Sequence, residues 1–176
     1  MAGAAARRHA QAAFQIALER GELDVWREDL GRLAEAVQDP GLFAFLESPR
    51  VHLEDKAKVL GRVLDKLNPL VMNMALLLVS RGRLALVPET VTEYGRLVDE
   101  HQGIAHAEVA TAVPLDSKQE AKLARRLGEL VSKDIVLTTE VEPSLVGGLT
   151  ARVGDKLIDG SIKSRFSALR GSLIRR

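Results

Sequence analysis

Cysteine is absent from the chain, which removes disulfides, thiolate metal ligands and thiol nucleophiles together and fits a reducing compartment. Aromatic side chains are nearly as scarce, at 3% of 176 residues: one Trp, one Tyr and four Phe. Burial therefore has to come from Leu, Val, Ala and Ile at helical spacing, with Trp26 and Tyr94 as isolated wedges. Excess charge of one sign is missing too. The 25 basic and 24 acidic side chains leave a formal charge of +1, so no overall field draws the chain to nucleic acid or an acidic membrane. Leu70 to Val79 is the nearest approach to a long apolar run; Asn73 breaks it, and it is about half of the ~20 residues a bilayer span requires. No direct membrane insertion is expected. Met1 to Arg8 contains no apolar core of signal-peptide length, and the expected location is cytoplasmic.

What is present is a folding composition, 46% hydrophobic and 28% charged, arranged mostly with a helical period. Ala10, Phe14, Ala17 and Leu18 share one face of a first helix that ends at Gly21. Trp26, Leu30, Leu33 and Val37 mark a second helix, stopped by Asp39, Pro40 and Gly41; a short third runs to Glu47. Val59, Val63 and Leu67 predict a fourth helix, Leu70 to Arg81 a fifth, and Val87, Val91, Tyr94 and Val98 a sixth starting near Pro88. Short connections imply antiparallel neighbours. Near Gly103 the period changes. Val109, Thr111 and Val113 alternate with Glu108, Ala110 and Ala112, and Ile135 to Val141 is rich in β-branched residues, so both read as strands. Between them Leu123, Leu127, Leu130 and Val131 line a helix for which Ser117 and Glu120 have capping-box spacing. A third strand is expected over Leu145 to Val153, turning at Gly154-Asp155 into Lys156 to Ile158. Ser161 is expected to cap a last helix carrying Ile162, Phe166, Leu169 and Leu173. The predicted class is mainly α, with an N-terminal six-helix bundle over 1–103 and a small α/β domain over 104–176.

Reactive chemistry is thinly represented. His9, His52, His101 and His106 include no pair at the i, i+4 spacing of a helical metal motif. Gly147, Gly148 and Gly154 match neither phosphate-binding glycine pattern, and are read as permitting a strand bend and a turn. Arg7-Arg8, Arg125-Arg126 and Arg175-Arg176 lack interleaved aromatics, so they read as solvated helix faces. A phosphate-binding enzyme and a nucleic-acid adaptor stand as the rival readings; no cofactor and no metal is expected.

The fifth helix is the informative element. Its side chains are apolar around the whole circumference, whereas a helix at the edge of a small bundle needs one apolar stripe. A central position accounts for this as well as an unpartnered face does. In the first helix Ala12, Ala13 and Ile16 form a second, small-residue stripe beside the core face, and such a groove suits an amphipathic helix from another protein.

The stretch from Glu142 to Arg170 carries a Gly147-Gly148 pair, an Arg152-x-Gly154-Asp155 turn, Ile158-Asp159-Gly160-Ser161 and then a basic helix with a Leu. It resembles the C-terminal signature of the ATP synthase delta subunit family, whose mitochondrial counterpart is the oligomycin-sensitivity-conferring protein. Arg8 to Phe14 and Asn73 to Leu84 are weaker echoes in the family's order. The resemblance implies a non-catalytic stator subunit of a proton-translocating F-type ATP synthase, peripheral at the cytoplasmic face of the bacterial plasma membrane. It implies that the N-terminal domain holds the N-terminal helix of an alpha subunit, and that the C-terminal domain meets the b subunits of the peripheral stalk. On that analogy His9, Ala12, Ala13 and Ile16 with Asn73 and Leu77 form the groove; Gly147, Gly148, Gly154, Asp155, Asp159, Gly160 and Ser161 are read from the residues themselves as serving the fold, as turn and cap, rather than as contacts to the stalk. The family often has Tyr where this chain has His9.

Overall fold

A computed structural model describes residues 3–162 and Phe166. Within them the chain is mainly helical, with seven α-helices and a small four-stranded sheet. It divides into two compact units between Val98 and Asp99.

The first unit holds α1 (Ala4–Arg20), α2 (Leu23–Ala36), α3 (Pro40–Glu47), α4 (Leu53–Val63), α5 (Pro69–Ser80) and most of α6 (Val87–Gln102), which a single 3-10 turn, Leu84–Leu86, leads into. The boundaries have local causes. At Gly21, φ is 68°, a left-handed conformation that lets the Gly21 and Glu22 amides donate back to the Leu18 and Ala17 carbonyls at 3.1 and 2.9 Å. The Asp39 carboxylate accepts from the Leu42 amide at 2.7 Å, with Pro40 at the first helical position, so α3 starts sharply. The fourth helix ends at Val63 and not beyond Leu67, because Leu64 already leaves helical geometry at φ −110°, ψ 60° and Lys66 then takes a φ of 62°. Leu67 still packs on the core from the connection.

The core of this unit draws on every helix: Ala10, Ala13 and Ala17 of α1, Trp26, Leu30 and Leu33 of α2, Leu46, Leu60, then Val71, Ala75 and Leu78 of α5, and Tyr94 and Val98 of α6. Each fully buried Leu here contributes roughly 1.5–3 kcal/mol relative to exposure. The alanines on α1 bury little area themselves, but they let the helix backbone approach its neighbours closely.

In the second unit β1 (Ile104–Thr111), α7 (Ser117–Val131), β2 (Asp134–Val141), β3 (Leu149–Val153) and β4 (Lys156–Asp159) form a sheet in the order β2-β1-β3-β4. The crossover through α7 makes β1 and β2 parallel, with Ala107 opposite Leu137; β3 runs antiparallel to β1, and β4 to β3. Ala107 and Val109 of β1 and Ala151 and Val153 of β3 pack with Leu127 of α7, so one sheet face is covered and alternate residues point away from it. Val113 lies beyond the end of β1.

Two expectations shift here. The cap of α7 is Asp116, one residue earlier than expected: its side chain accepts from the Gln119 amide at 2.7 Å, and the Gln119 side chain accepts from the Asp116 amide at 3.0 Å. The third strand begins at Leu149 and not Leu145, since the four residues before it have no ladder partner. The 153–156 connection is the expected two-residue turn, with Val153 opposite Lys156 and Gly154 at φ 56°. Of the expected last helix, Leu169 and Leu173 lie outside the described residues, as do Arg175 and Arg176.

Candidate functional site

Helix α5 is fixed at its start by a polar cluster that apolar periodicity does not reveal. The Asp29 carboxylate, buried on α2, accepts from the Asn68 amide at 2.7 Å, and the Asn68 side chain donates to Glu22 at 3.0 Å while accepting from the Leu70 amide at 3.0 Å. Arg32 closes the cluster, 3.4 Å from Asp29 and donating to the Asp65 carbonyl at 2.7 Å. Asn68 is thus at once the cap of α5 and its tie to α2. A signal for Asp29 exists in the sequence: it is a carboxylate three residues after Trp26, on the apolar face of an amphipathic helix. At the other end Arg83 donates its amide to the Leu78 carbonyl at 2.9 Å, and Gly82 takes a φ of 59°.

Between these anchors α5 is covered on most of its circumference. Val71, Ala75, Leu78 and Val79 are buried, and Leu70, Met72, Met74 and Leu76 are half-buried against the core. Asn73 and Leu77, four residues apart and hence on one line of the helix, are exposed, Leu77 to 48%. The apolar character of α5 therefore follows mainly from its central position, with Leu77 as the one large apolar side chain left open beside the polar Asn73.

On α1 the expected second stripe divides. Ala12 is exposed and Ile16 is 39% exposed, but Ala13 is 2% exposed and belongs to the core with Ala6, Ala10 and Ala17. Steps of four, three and four residues keep those alanines on one side of the helix and leave Ala12 and Ile16 on another. A cavity of about 230 Å³ is lined by His9, Leu77, Leu78, Arg81 and Arg83. The structure thus brings His9 of α1 and Leu77 of α5 to one recess, while Ala12, Ala13, Ile16 and Asn73 lie outside its lining. Arg81 and Arg83 are the lining residues that sequence reading missed; they follow directly on the apolar run of α5, where a cation also suits the helix C-terminus.

The glycine-rich segment of the second unit closes on itself. A Cβ on Gly147 would lie 2.5 Å from the Ile162 side chain, and one on Gly148 2.5 Å from the Gly160 carbonyl oxygen. Gly160 donates its amide to the Leu149 carbonyl at 2.9 Å, Ile162 to the Gly147 carbonyl at 3.0 Å, and the Ser161 amide donates to the Asp159 carboxylate at 2.9 Å. The space that a phosphate cradle needs is filled by the chain itself. Asp155 occupies the exposed turn after Gly154. The histidines stay scattered: His9 is at the recess, His52 precedes α4, His101 ends α6, and the His106 ring is 2.8 Å from Asp99.

Fold and surface together describe a two-unit, mainly helical protein, with a helical unit that leaves Leu77 and Ile16 exposed and a small α/β unit folded around a glycine pair. The profile of the ATP synthase delta (OSCP) subunit family matches residues 5–173, and the chain belongs to that family. Its members are stator subunits of the F-type ATP synthase and carry no catalytic centre of their own. The ATP synthase subunit delta of Dehalococcoides mccartyi strain 195 is 36% identical over 170 residues, covering 97% of this chain and 94% of the relative. That of Thioalkalivibrio sulfidiphilus is 35% identical over 171 residues, covering 97% and 96%. Among solved structures, a chain of the Toxoplasma gondii mitochondrial ATP synthase hexamer shares the fold with a TM-score of 0.65 at 22% identity, over 96% of this chain and 97% of that one.

Proposed function

We propose that α1 to α6 work as a six-helix bundle that holds the N-terminal helix of an alpha subunit against His9, Ala12, Ile16, Asn73 and Leu77, with Ala13 behind them as a small floor residue. The observation that carries this is the exposed Asn73–Leu77 line on an otherwise covered apolar helix, next to a recess shared with His9. Hydrophobic docking suits a stator, because buried apolar area slows release without any bound nucleotide. The domain over 104–176 meets the b subunits of the peripheral stalk. Its support is the outer sheet face, where Glu108, Glu140, Arg152 and Leu157 border a shallow recess of about 420 Å³, with Leu157 65% exposed. In this role the chain lies at the cytoplasmic face of the bacterial plasma membrane, held there by its partners; no helix among the described residues is long and apolar enough to cross one.

The test is Leu77→Asp in the full chain, titrated with a peptide of the alpha-subunit N-terminus encoded by the same genome. Because Leu77 is half exposed, the variant keeps its helical circular dichroism, and peptide binding is lost. Undiminished binding to Leu77→Asp overturns the groove.

A further inference from the structure

The recess beside Leu77 is apolar at its floor and cationic at its rim. Leu77 and Leu78 supply the apolar part, and His9, Arg81 and Arg83 the rest; no carboxylate lines it. Arg81 and Arg83 are exposed, and among the described residues the side chains of His9, Arg81 and Arg83 make no hydrogen bond or ion pair. This contrasts with Arg32 and Arg96, whose guanidinium groups meet Asp29 and Glu93 within their own unit. The dipole of α5 accounts for one cation at its C-terminal end. It does not account for two guanidinium groups beside one apolar recess.

A free guanidinium in water costs nothing. Once a helix is seated over Leu77, the two arginines at the rim lose part of their hydration, and a neutral occupant returns nothing for it. A carboxylate placed there restores the balance, since its charge-assisted hydrogen bonds to the forked guanidinium are stronger than neutral ones. From this geometry we infer that the occupant of the groove is an amphipathic helix bearing one or more Asp or Glu side chains where it passes Arg81 and Arg83. The inference rests on the proposed groove and adds the chemistry by which its partner is selected and set in register. Leu77 and Ile16 give adhesion, and the two arginines at the rim give on-rate and orientation.

The experiment uses the full chain, its Arg81→Gln/Arg83→Gln variant, the alpha-subunit N-terminal peptide, and the same peptide with its carboxylates changed to amides. Calorimetry and stopped-flow fluorescence are run at low and high salt. The double variant binds the native peptide roughly tenfold more weakly, mainly through slower association, and its binding depends less on salt. The amide peptide shows the same loss on the natural chain and no further loss on the double variant, as a double-mutant cycle requires of paired groups. Equal affinity and equal salt dependence for the natural chain and the double variant overturn the inference and leave the groove standing, provided Leu77→Asp still abolishes binding. If the folded natural chain binds neither peptide, the groove itself fails and the acidic partner fails with it.

Discussion

Tyr94 shows how much one aromatic can do in a chain that has few. Its ring is fully buried and meets Phe14 of α1 edge-on, with centroids 6.5 Å apart and planes at 64°, and its hydroxyl donates to the Leu23 carbonyl at 2.9 Å. One side chain of α6 thus ties down both α1 and α2. Burial pushes its pKa from the ordinary 10.0 up to about 12. The neutral phenol is the folded form, so the contribution is complete below the unfolded pKa and is lost as pH rises through the folded one. Stability should therefore fall between pH 10.0 and about 12, as the unfolded state releases its proton first. Tyr94→Phe should cost about 1 kcal/mol at neutral pH through the lost hydrogen bond and remove that part of the alkaline decline. Urea unfolding followed across this range checks it, and an identical decline in the variant contradicts it. Sequence reading identified Tyr94 and Trp26 as wedges from their scarcity. Asp29 escaped it, because a carboxylate amid apolar neighbours signals a buried partner without saying which.

At the scale of elements, most helices were legible because an apolar period runs between Gly, Pro, Asp or Asn breaks; α4 is the exception, since its buried row is Lys56, Leu60 and Leu64 while Val63 is 50% exposed. Errors fell where side-chain character and backbone pairing part company. Leu145 and Val146 have strand-like character, yet Val146 is 85% exposed, because the adjoining Gly147-Gly148 pair is committed to residues 160–162 and not to the sheet. Ala13 was misread for another reason: alanine gives a weak apolar signal, so the core row of α1 is hard to tell from its outer stripe. The glycine pair is the element most sensitive to change. Gly148 has a φ of 84° and its missing Cβ would press on the Gly160 carbonyl and Ser161, both backbone. Gly148→Ala should destabilise the second unit by about 2 kcal/mol or more, combining left-handed strain with the clash. Hydrogen exchange should show faster exchange at the amides of β1 and β3, with α2 and α5 unchanged. Unaltered protection of β1 and β3 would show that the close approach carries no load.

For the whole molecule, the division between Val98 and Asp99 gives a chain with two separate cores and a surface on each, which suits a part whose task is to join others. Family membership was legible in the sequence from the glycine pair, the 152–155 turn and the 158–161 motif, because those residues answer to backbone geometry that tolerates few substitutes. The groove was only partly legible. Leu77 and His9 come to one recess, but the arginine rim depends on how the chain leaves α5, and helical periodicity holds no information about that. A chain that joins the catalytic head to the stalk makes their association depend on its presence. Isolated catalytic head and purified b-subunit stalk are sedimented together with this chain, without it, and with Leu77→Asp in its place. Head and stalk should travel as one complex only with the natural chain, and Leu77→Asp should travel with the stalk alone. Equal co-sedimentation of head and stalk in all three mixtures would contradict the account.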